Sequence, residues 1–225
     1  MQDYVTPRAL ETAEIPGLVA TYVQAARNAL AAGFDGVEIH AGNGYLLDQF
    51  LRSSTNRRSD AYGGSKENRA RLLLEVLTAI CAVIGNDRVG LRLSPVTPFN
   101  DIADANPQET FDYVVGELNR FDLAFLDILQ GTGGSPRDQW LPFDYARLRA
   151  IYKGNLVLNN GYDFASGQAA VQGGAADAIA YGRALLANPD LVERFRRGAP
   201  LNQPDYERLY VGEEKGYTDY PFLPA

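Results

Sequence analysis

Three side chains of different chemistry lie within six residues, in the stretch 37–46 with the sequence VEIHAGNGYL. It holds the only histidine of the chain, His40, which is followed by Asn43 and Tyr45. An imidazole and an amide three residues apart can both donate hydrogen bonds to one oxygen that gains negative charge. A phenol two residues later can give a proton to a nearby carbon or heteroatom. The same residues also suit a half-buried strand end, an Asn-Gly turn and a core tyrosine, so both interpretations stay open.

Charged and glycine residues further along suggest a site for an anion. Arg92 lies inside the apolar run RVGLRLS, where a buried charge needs a partner. That partner is either a carboxylate of a neighbouring element or an anionic ligand. Gly182 and Arg183, in the sequence YGR, can bind a phosphate, although this short motif alone is weak. No cluster has metal-ligand spacing, and one histidine with one cysteine argues against a zinc site.

The elements that carry these residues alternate between strands and helices. Helical patterns follow or precede every strand, with Ser65 and Asn106 as N-caps and Gly33 as a C-terminal residue. Such alternation predicts βαβ units and a parallel sheet that is buried on both faces. Five short apolar strands are predicted, at 36–40, 88–94, 123–129, 155–160 and 177–182.

Two α/β architectures accommodate five such strands: a doubly wound sheet and part of a (β/α)₈ TIM barrel. No strand is followed by G-x-G-x-x-G, so the dinucleotide-binding sheet lacks support. Polar residues end the strands, which is where barrels place their active sites. These residues are His40, Ser94, Gln130, Asn159 and Asn160. The last strand leads into GRALLANP, a place where barrels often bind phosphate, so the barrel is favoured.

Composition narrows the class of protein further. The 225 residues suit one domain, and the net charge of −7 argues against a nucleic-acid partner. The sequence contains no apolar run long enough to span a membrane and no pattern of a signal peptide. The single cysteine, Cys81, is expected to be a buried free thiol, which fits a cytoplasmic location.

Several segments together resemble the old yellow enzyme family of flavin-dependent ene-reductases. The most specific block is GFDGVEIHAGNGYLLDQFL followed by NRRSDAYGGSKENRARLLLE. The segments RVGLRLSP, NLVLNNG, AIAYGRALLANPDL and GYTDYPF match in order and spacing. The resemblance covers essentially all 225 residues, and it identifies the chain as the C-terminal portion of such a protein.

The resemblance implies a (β/α)₈ barrel that binds FMN at its C-terminal mouth. FMN is reduced by NAD(P)H, and an activated alkene is the expected small-molecule substrate. His40 and Asn43 are expected to bind the carbonyl or nitro oxygen of the substrate, and Tyr45 to supply a proton.

The resemblance also assigns residues to the cofactor and to the pocket wall. Arg92 is expected beside the flavin N1/C2 carbonyl edge, where its charge stabilises reduced flavin. The expected phosphate site is formed by Gly161, Gly182 and Arg183. Phe99 and Tyr220 are expected to line the substrate pocket, whereas Trp140 lies on a loop that varies in the family.

The barrel of this family has eight strands, so residues 1–225, interpreted as a single domain, supply about strands 4–8. An incomplete barrel exposes two sheet edges and part of its core. The favoured interpretation is that an N-terminal barrel-half chain completes the enzyme. The alternatives are self-association of a truncated chain, or a half-barrel that serves as an interaction module without catalysis.

Overall fold

The computed structural model describes residues 7–132, 141–209 and 211–224. The strands in this part of the chain are β1 (Val37–Ala41), β2 (Val89–Leu93), β3 (Phe125–Leu129), β4 (Leu156–Asn159) and β5 (Ala178–Ala180). The α-helices are α1 (Ile15–Ala31), α2 (Leu46–Leu51), α3 (Lys66–Ile84), α4 (Pro107–Leu118), α5 (Tyr145–Ile151), α6 (Phe164–Gln172), α7 (Arg183–Ala187) and α8 (Leu191–Arg197). All five predicted strands are confirmed, with bounds that differ by at most two residues.

The order of the strands decides between the two architectures. Every neighbouring pair is parallel, and the strands lie in chain order, β1-β2-β3-β4-β5. In a doubly wound sheet the order reverses at a switch point, whereas in a (β/α)₈ barrel each strand lies beside the next. The structure therefore excludes the doubly wound alternative and confirms a run of consecutive barrel strands.

The two faces of the sheet differ in chemistry because successive side chains point to opposite sides. One face packs on the helices and is apolar and buried; it carries Ile39, Ala41, Leu91, Leu93, Leu126, Ile128, Leu156 and Leu158. Burying one such leucine or isoleucine contributes about 1.5–3 kcal/mol. The opposite face corresponds to the barrel interior and carries Glu38, His40, Arg92, Asp127 and Asn159. The interior of this sheet is therefore charged.

The helix ends follow the sequence signals. The Ser65 side chain accepts from the Asn68 N–H at 3.3 Å, and Asn106 accepts from the Glu109 N–H at 3.4 Å, as N-caps do. Gly33, just past α1, has φ +92°, a conformation that favours glycine. One element was not expected: the six-residue helix α2 begins directly after Tyr45. A helix this short shows no helical period in the sequence. It nevertheless fixes the direction of the chain after β1, in the turn that carries the candidate catalytic residues.

Both ends of the sheet are open in the described residues. There β1 pairs only with β2, and β5 pairs only with β4. Such edges expose backbone donors and acceptors that can pair with a further strand. None of the helices in the described residues combines the length and the apolar composition that a membrane crossing requires.

Candidate functional site

A cavity of about 780 Å³ lies at the carboxyl ends of the strands. This volume falls in the range of small-molecule and cofactor pockets. It borders nine residues that the sequence singled out: Asn43, Tyr45, Arg92, Phe99, Asn159, Asn160, Gly161, Gly182 and Arg183. Residues separated by more than a hundred positions in the chain are thus brought to one site, which is the arrangement that the strand-end pattern predicts.

The turn after β1 is held in a conformation that few residues adopt. Asn43 and Gly44 have φ values of +55° and +73°. Asparagine tolerates this left-handed region, and only glycine fits next to it, because a Cβ on Gly44 would lie 2.5 Å from the Phe99 carbonyl oxygen. The Asn43 N–H donates to Ser94 Oγ at 2.6 Å, and its carbonyl accepts from Asn100 Nδ2 at 3.0 Å. These backbone contacts fix the turn from which the Asn43 amide meets the cavity.

A buried ion pair anchors the same turn from below. Asp48 and Arg52, on and just after α2, are almost completely buried and join at 2.6 Å. Asp48 Oδ2 accepts from the Gly44 N–H at 3.0 Å, and Arg52 donates to the carbonyls of Ser94 and Pro95 at 2.5 and 2.6 Å. The guanidinium also lies 4.6 Å from the centre of the Phe111 ring. The pair therefore links the turn to the end of β2.

Three rings form a row along one side of the site. The centroid of the His40 ring lies 5.5 Å from that of Tyr45, and Tyr45 lies 6.5 Å from Phe99. Tyr45 and Phe99 are about half exposed, at 51% and 55%. His40 does not itself border the cavity, but its ring contacts a residue that does. The row places the imidazole beside a phenol and, next to that, an apolar ring, and the last two border the cavity.

The protonation state of His40 follows from its surroundings. Burial lowers the pKa of His40, the positive charge of Arg92 lowers it further, and the Asp48 carboxylate opposes the change. The net pKa lies below the usual value, so the imidazole is neutral at pH 7. A neutral imidazole donates one hydrogen bond without placing a full positive charge beside Arg92.

Arg92 satisfies both interpretations that the sequence left open. Its Nη1 lies 3.2 Å from Asp127 Oδ2 on β3, and its Nη2 donates to Asn159 Oδ1 at 3.0 Å on β4. It also borders the cavity. Arg92 therefore has a carboxylate partner and is still available to a ligand.

This second ion pair is not fully hydrogen-bonded. Arg92 Nε and Asp127 Oδ1 are buried and have no partner among the described residues. Burial raises the pKa of Asp127 to about 6, with Glu38 acting in the same direction and Arg92 against it. Leaving a buried donor without a hydrogen-bond partner lowers stability by about 1–3 kcal/mol. Such a group in a folded protein needs an explanation, and a bound ligand is one.

The opposite side of the cavity is built from backbone and glycine. Gly161 has φ +69°, and Gly182 precedes α7. A Cβ at Gly182 would meet no atom within 4 Å, so the packing of the protein does not require a glycine there. Arg183 is exposed and borders the same space. Open space beside a backbone and an exposed cation suit a phosphate group.

Two of the residues suggested by the sequence lie elsewhere or outside the described part. Tyr220 does not border the cavity; its hydroxyl accepts from the Asp205 N–H at 2.7 Å. This contact holds the C-terminal segment, in which Arg194 also donates to the Pro221 carbonyl at 2.8 Å. The pocket role of Tyr220 stays a prediction that the geometry does not support. Trp140 lies outside the described residues.

Sequence reasoning missed other residues of the wall. Tyr206, 63% exposed, and Thr97 both border the cavity. No sequence signal marks Tyr206, because its position depends on the path of an irregular segment. Asn160, in contrast, was singled out by the sequence as a polar residue at a strand end, and it also borders the cavity. Its Nδ2 donates to the Gln130 carbonyl at 2.8 Å, and Tyr162 OH donates to Gln130 Oε1 at 2.8 Å.

Comparison with known families is consistent with this geometry. Residues 1–202 match the family described as NADH:flavin oxidoreductase / NADH oxidase, which is most of the chain. The chain belongs to this family. A probable flavin mononucleotide-dependent alkene reductase of Leishmania infantum is 48% identical over 99% of this chain and 60% of its own length. A putative 12-oxophytodienoate reductase 11 of Oryza sativa subsp. japonica is 46% identical, covering 99% of this chain and 61% of its own.

Solved structures of the family have the same fold as the chain. Morphinone reductase in complex with tetrahydroNAD superposes with a TM-score of 0.92 at 48% identity, over 99% of this chain and 60% of that one. The old yellow enzyme from Trypanosoma cruzi superposes with a TM-score of 0.94 at 37% identity, over 99% and 59%. The resemblance to old yellow enzymes is thereby confirmed. The chain spans about 60% of the length of the relatives that it matches.

Proposed function

We propose that this chain carries the substrate and cofactor residues of an FMN-dependent alkene reductase. The observation that supports the proposal is that Asn43 and Tyr45 border the same cavity as Arg92, Gly182 and Arg183. Hydrogen-bond donors for an oxyanion, a proton donor and two cations therefore meet in one space. The names of the relatives, which include an FMN-dependent alkene reductase, point to the same chemistry.

The described residues fit FMN on three counts. Arg92 Nε is a buried donor with no partner among them, and it belongs to a residue of the cavity wall. Gly182 leaves open the space that a side chain would fill. Arg183 supplies an exposed cation near that glycine. We infer that Arg92 holds the flavin edge that becomes negative on reduction, and that Gly161, Gly182 and Arg183 hold the phosphate.

FMN, when bound, supplies a hydride that it has received from NAD(P)H. The residues of this chain then prepare the alkene for it. His40 and Asn43 donate hydrogen bonds to the carbonyl or nitro oxygen of the substrate, and these bonds strengthen as the oxygen becomes negative. Because His40 is neutral, it stabilises this charge as a donor and keeps its own proton. Enones, enals and nitroalkenes all offer such an oxygen.

Tyr45 completes the reduction. Its phenol gives a proton to the carbon next to the activating group, while the hydride goes to the other carbon of the double bond. One hydride and one proton convert C=C into CH–CH, so charge and atoms balance. Tyr45 is half exposed and can recover its proton from water.

We further propose that additional chain closes the barrel, either joined to residues 1–225 or supplied by a partner. Two observations support this: the open edges of β1 and β5, and the charged interior face of the sheet. About 40% of the length of these relatives lies outside the part that this chain covers, enough for the missing strands. Phe164, at the start of α6, and Val192, on α8, are exposed and offer apolar surface to such a segment.

The experiment compares Tyr45→Phe with Tyr217→Phe, an exposed tyrosine outside the cavity wall. We expect FMN content and phenol binding near wild type in both variants. Reduction of an enone by Tyr45→Phe should fall by at least about 10²-fold, the usual contribution of a general acid. The Tyr217 variant should keep full activity. Equal activity in both variants would remove Tyr45 from the mechanism.

The oxyanion role is tested separately with His40→Ala and Asn43→Ala. Each variant removes one hydrogen bond to a developing charge, which is worth about 1.5–3 kcal/mol. Binding of a phenolate should weaken by roughly tenfold or more, and enone reduction should slow with it. If the protein holds no FMN at all, the half-barrel interaction module becomes the better description.

A further inference from the structure

The interior face of the sheet contains an acidic residue that the proposed chemistry does not use. Asp127 lies in the middle of β3, at the same level as Arg92 on β2 and His40 on β1. It is 4% exposed and does not border the cavity. It therefore lies behind Arg92 and cannot touch a ligand in the cavity directly.

The contacts of Arg92 show how Asp127 acts. Asp127 Oδ2 lies 3.2 Å from Nη1, while Asn159 Oδ1 accepts from Nη2 at 3.0 Å. Asn159 is itself fixed, since its Nδ2 donates to the Ala180 carbonyl at 2.8 Å. Two oxygens on two strands thus hold the two terminal nitrogens of one planar guanidinium, and the orientation of Nε follows from them.

We propose that Asp127 is a positioning residue that fixes the Arg92 guanidinium at the cavity wall and offsets its positive charge there. This inference depends on the proposed function only in the test that measures the flavin midpoint potential. A carboxylate at 3.2 Å in a buried setting reduces the field that Arg92 exerts on neighbouring groups. Two groups lie within this field: His40, on the adjacent strand, and the cofactor edge that Arg92 is proposed to hold.

Electrostatics on the interior face make this role dependent on Arg92. The groups that act on Asp127 are Arg92 on β2 and Glu38 on β1, and Arg92 alone favours its charged form. Without Arg92, only burial and Glu38 act on Asp127, and both raise its pKa. Arg92 is therefore the group that favours the charged form of Asp127.

The first test follows the His40 ring by NMR and needs no flavin. His40 is the only histidine in these 225 residues, and its signal is assigned by its loss in His40→Gln. In Asp127→Asn the charge of Arg92 is no longer offset, so His40 should bind its proton about threefold more weakly. Asp35→Asn removes the same charge from an exposed loop and should leave His40 unchanged.

A double-substitution cycle separates this role from a structural one. In the Arg92→Gln background no arginine charge remains to be offset, so adding Asp127→Asn should change the proton affinity of His40 clearly less than it does in wild type. The double variant also buries no unpaired charge, so it tests the proposal even if Asp127→Asn alone does not fold. A shift of equal size in both backgrounds, or no shift in either, overturns the proposal.

The second test is the flavin midpoint potential of Asp127→Asn against wild type. An Arg92 charge that is no longer offset should bind reduced flavin about tenfold tighter relative to oxidised flavin, a shift of about +30 mV for two electrons. An unchanged potential contradicts the inference. Failure to bind FMN refutes the proposed function instead, and the His40 titration still decides the role of Asp127.

Discussion

Two arginine–carboxylate pairs, Asp48–Arg52 at α2 and Asp127–Arg92 across β2 and β3, differ in how completely they are hydrogen-bonded. Asp48–Arg52 is 0–1% exposed, and every polar side-chain atom of the pair has a partner among the described residues. Asp127–Arg92 leaves Asp127 Oδ1 and Arg92 Nε without one. The Arg92 side chain is also 25% exposed and borders the cavity.

This difference distinguishes a pair that supports the structure from a pair that belongs to the candidate site. A buried pair with complete hydrogen bonds holds its surroundings in place, and removing one partner is costly. A pair that leaves buried polar atoms without partners, and whose arginine borders a cavity, is poorly explained by stability alone and is better explained by a ligand. In this molecule Arg52 fixes the turn that presents Asn43 and Tyr45, while Arg92 faces the space that they border.

The largest expected effect concerns Arg52. Arg52→Met leaves the Asp48 carboxylate buried without its cation and frees two carbonyls, so the free energy of unfolding should fall by about 3–5 kcal/mol. Urea denaturation measures it. Arg27→Met, on an exposed position of α1, should change stability by less than about 0.5 kcal/mol. A loss below about 1 kcal/mol for Arg52→Met would show that the pair is not the scaffold described above.

The next effect concerns pH and Asp127. Its pKa in the folded protein is about 6, above the usual value of 3.8, so the folded state binds the proton more tightly than the unfolded state. Stability from this group is complete below about pH 4 and is lost as pH rises to about 6, by roughly 2–3 kcal/mol.

Asp127→Asn should therefore flatten the decline in unfolding free energy between about pH 4 and 6, relative to wild type. Denaturant titrations at several pH values measure the difference, and Asp35→Asn should run parallel to wild type. Parallel curves for Asp127→Asn as well would mean that Asp127 titrates normally.

A smaller effect on stability is expected for Arg92. In Arg92→Met the Asp127 carboxyl can take up a proton instead of remaining as a buried charge, so unfolding free energy should fall by only about 1–2 kcal/mol. The same denaturation assay, run beside Arg52→Met, measures it. An equal loss for the two arginines would abolish the distinction between the pairs.

The smallest effect concerns the turn itself. Ser94→Ala removes the acceptor for the Asn43 N–H and should cost about 1 kcal/mol. Because Asn43 is then held less firmly, the free energy of phenol binding should also weaken, which the loss of unfolding free energy alone would not cause. Ser166→Ala, at the start of α6, is a hydroxyl control of similar stability cost that lies outside the cavity wall. Similar phenol binding in the two variants would show that Ser94 does not position Asn43.

The sequence predicted the parts of the molecule that local patterns determine. Apolar strands, the caps Ser65 and Asn106, the strand-end position of His40 and the position of Arg92 inside a strand all follow from period and residue type. It did not reveal α2, which is too short to show a period, or the partner of Arg92, because Asp127 is close only through strand register. Tyr206 and Tyr220 depend on the path of an irregular segment, which no local rule determines.

The most direct test of the central claim is FMN titration of the purified protein, followed by native mass spectrometry, for wild type and Arg92→Met. We expect one FMN per protein in wild type and an affinity at least about tenfold lower in Arg92→Met, the loss expected for a charge-assisted hydrogen bond. The masses also show any chain that completes the barrel. Equal FMN binding by both proteins, or none by wild type, would contradict the claim that the incompletely hydrogen-bonded Asp127–Arg92 pair belongs to the cofactor site.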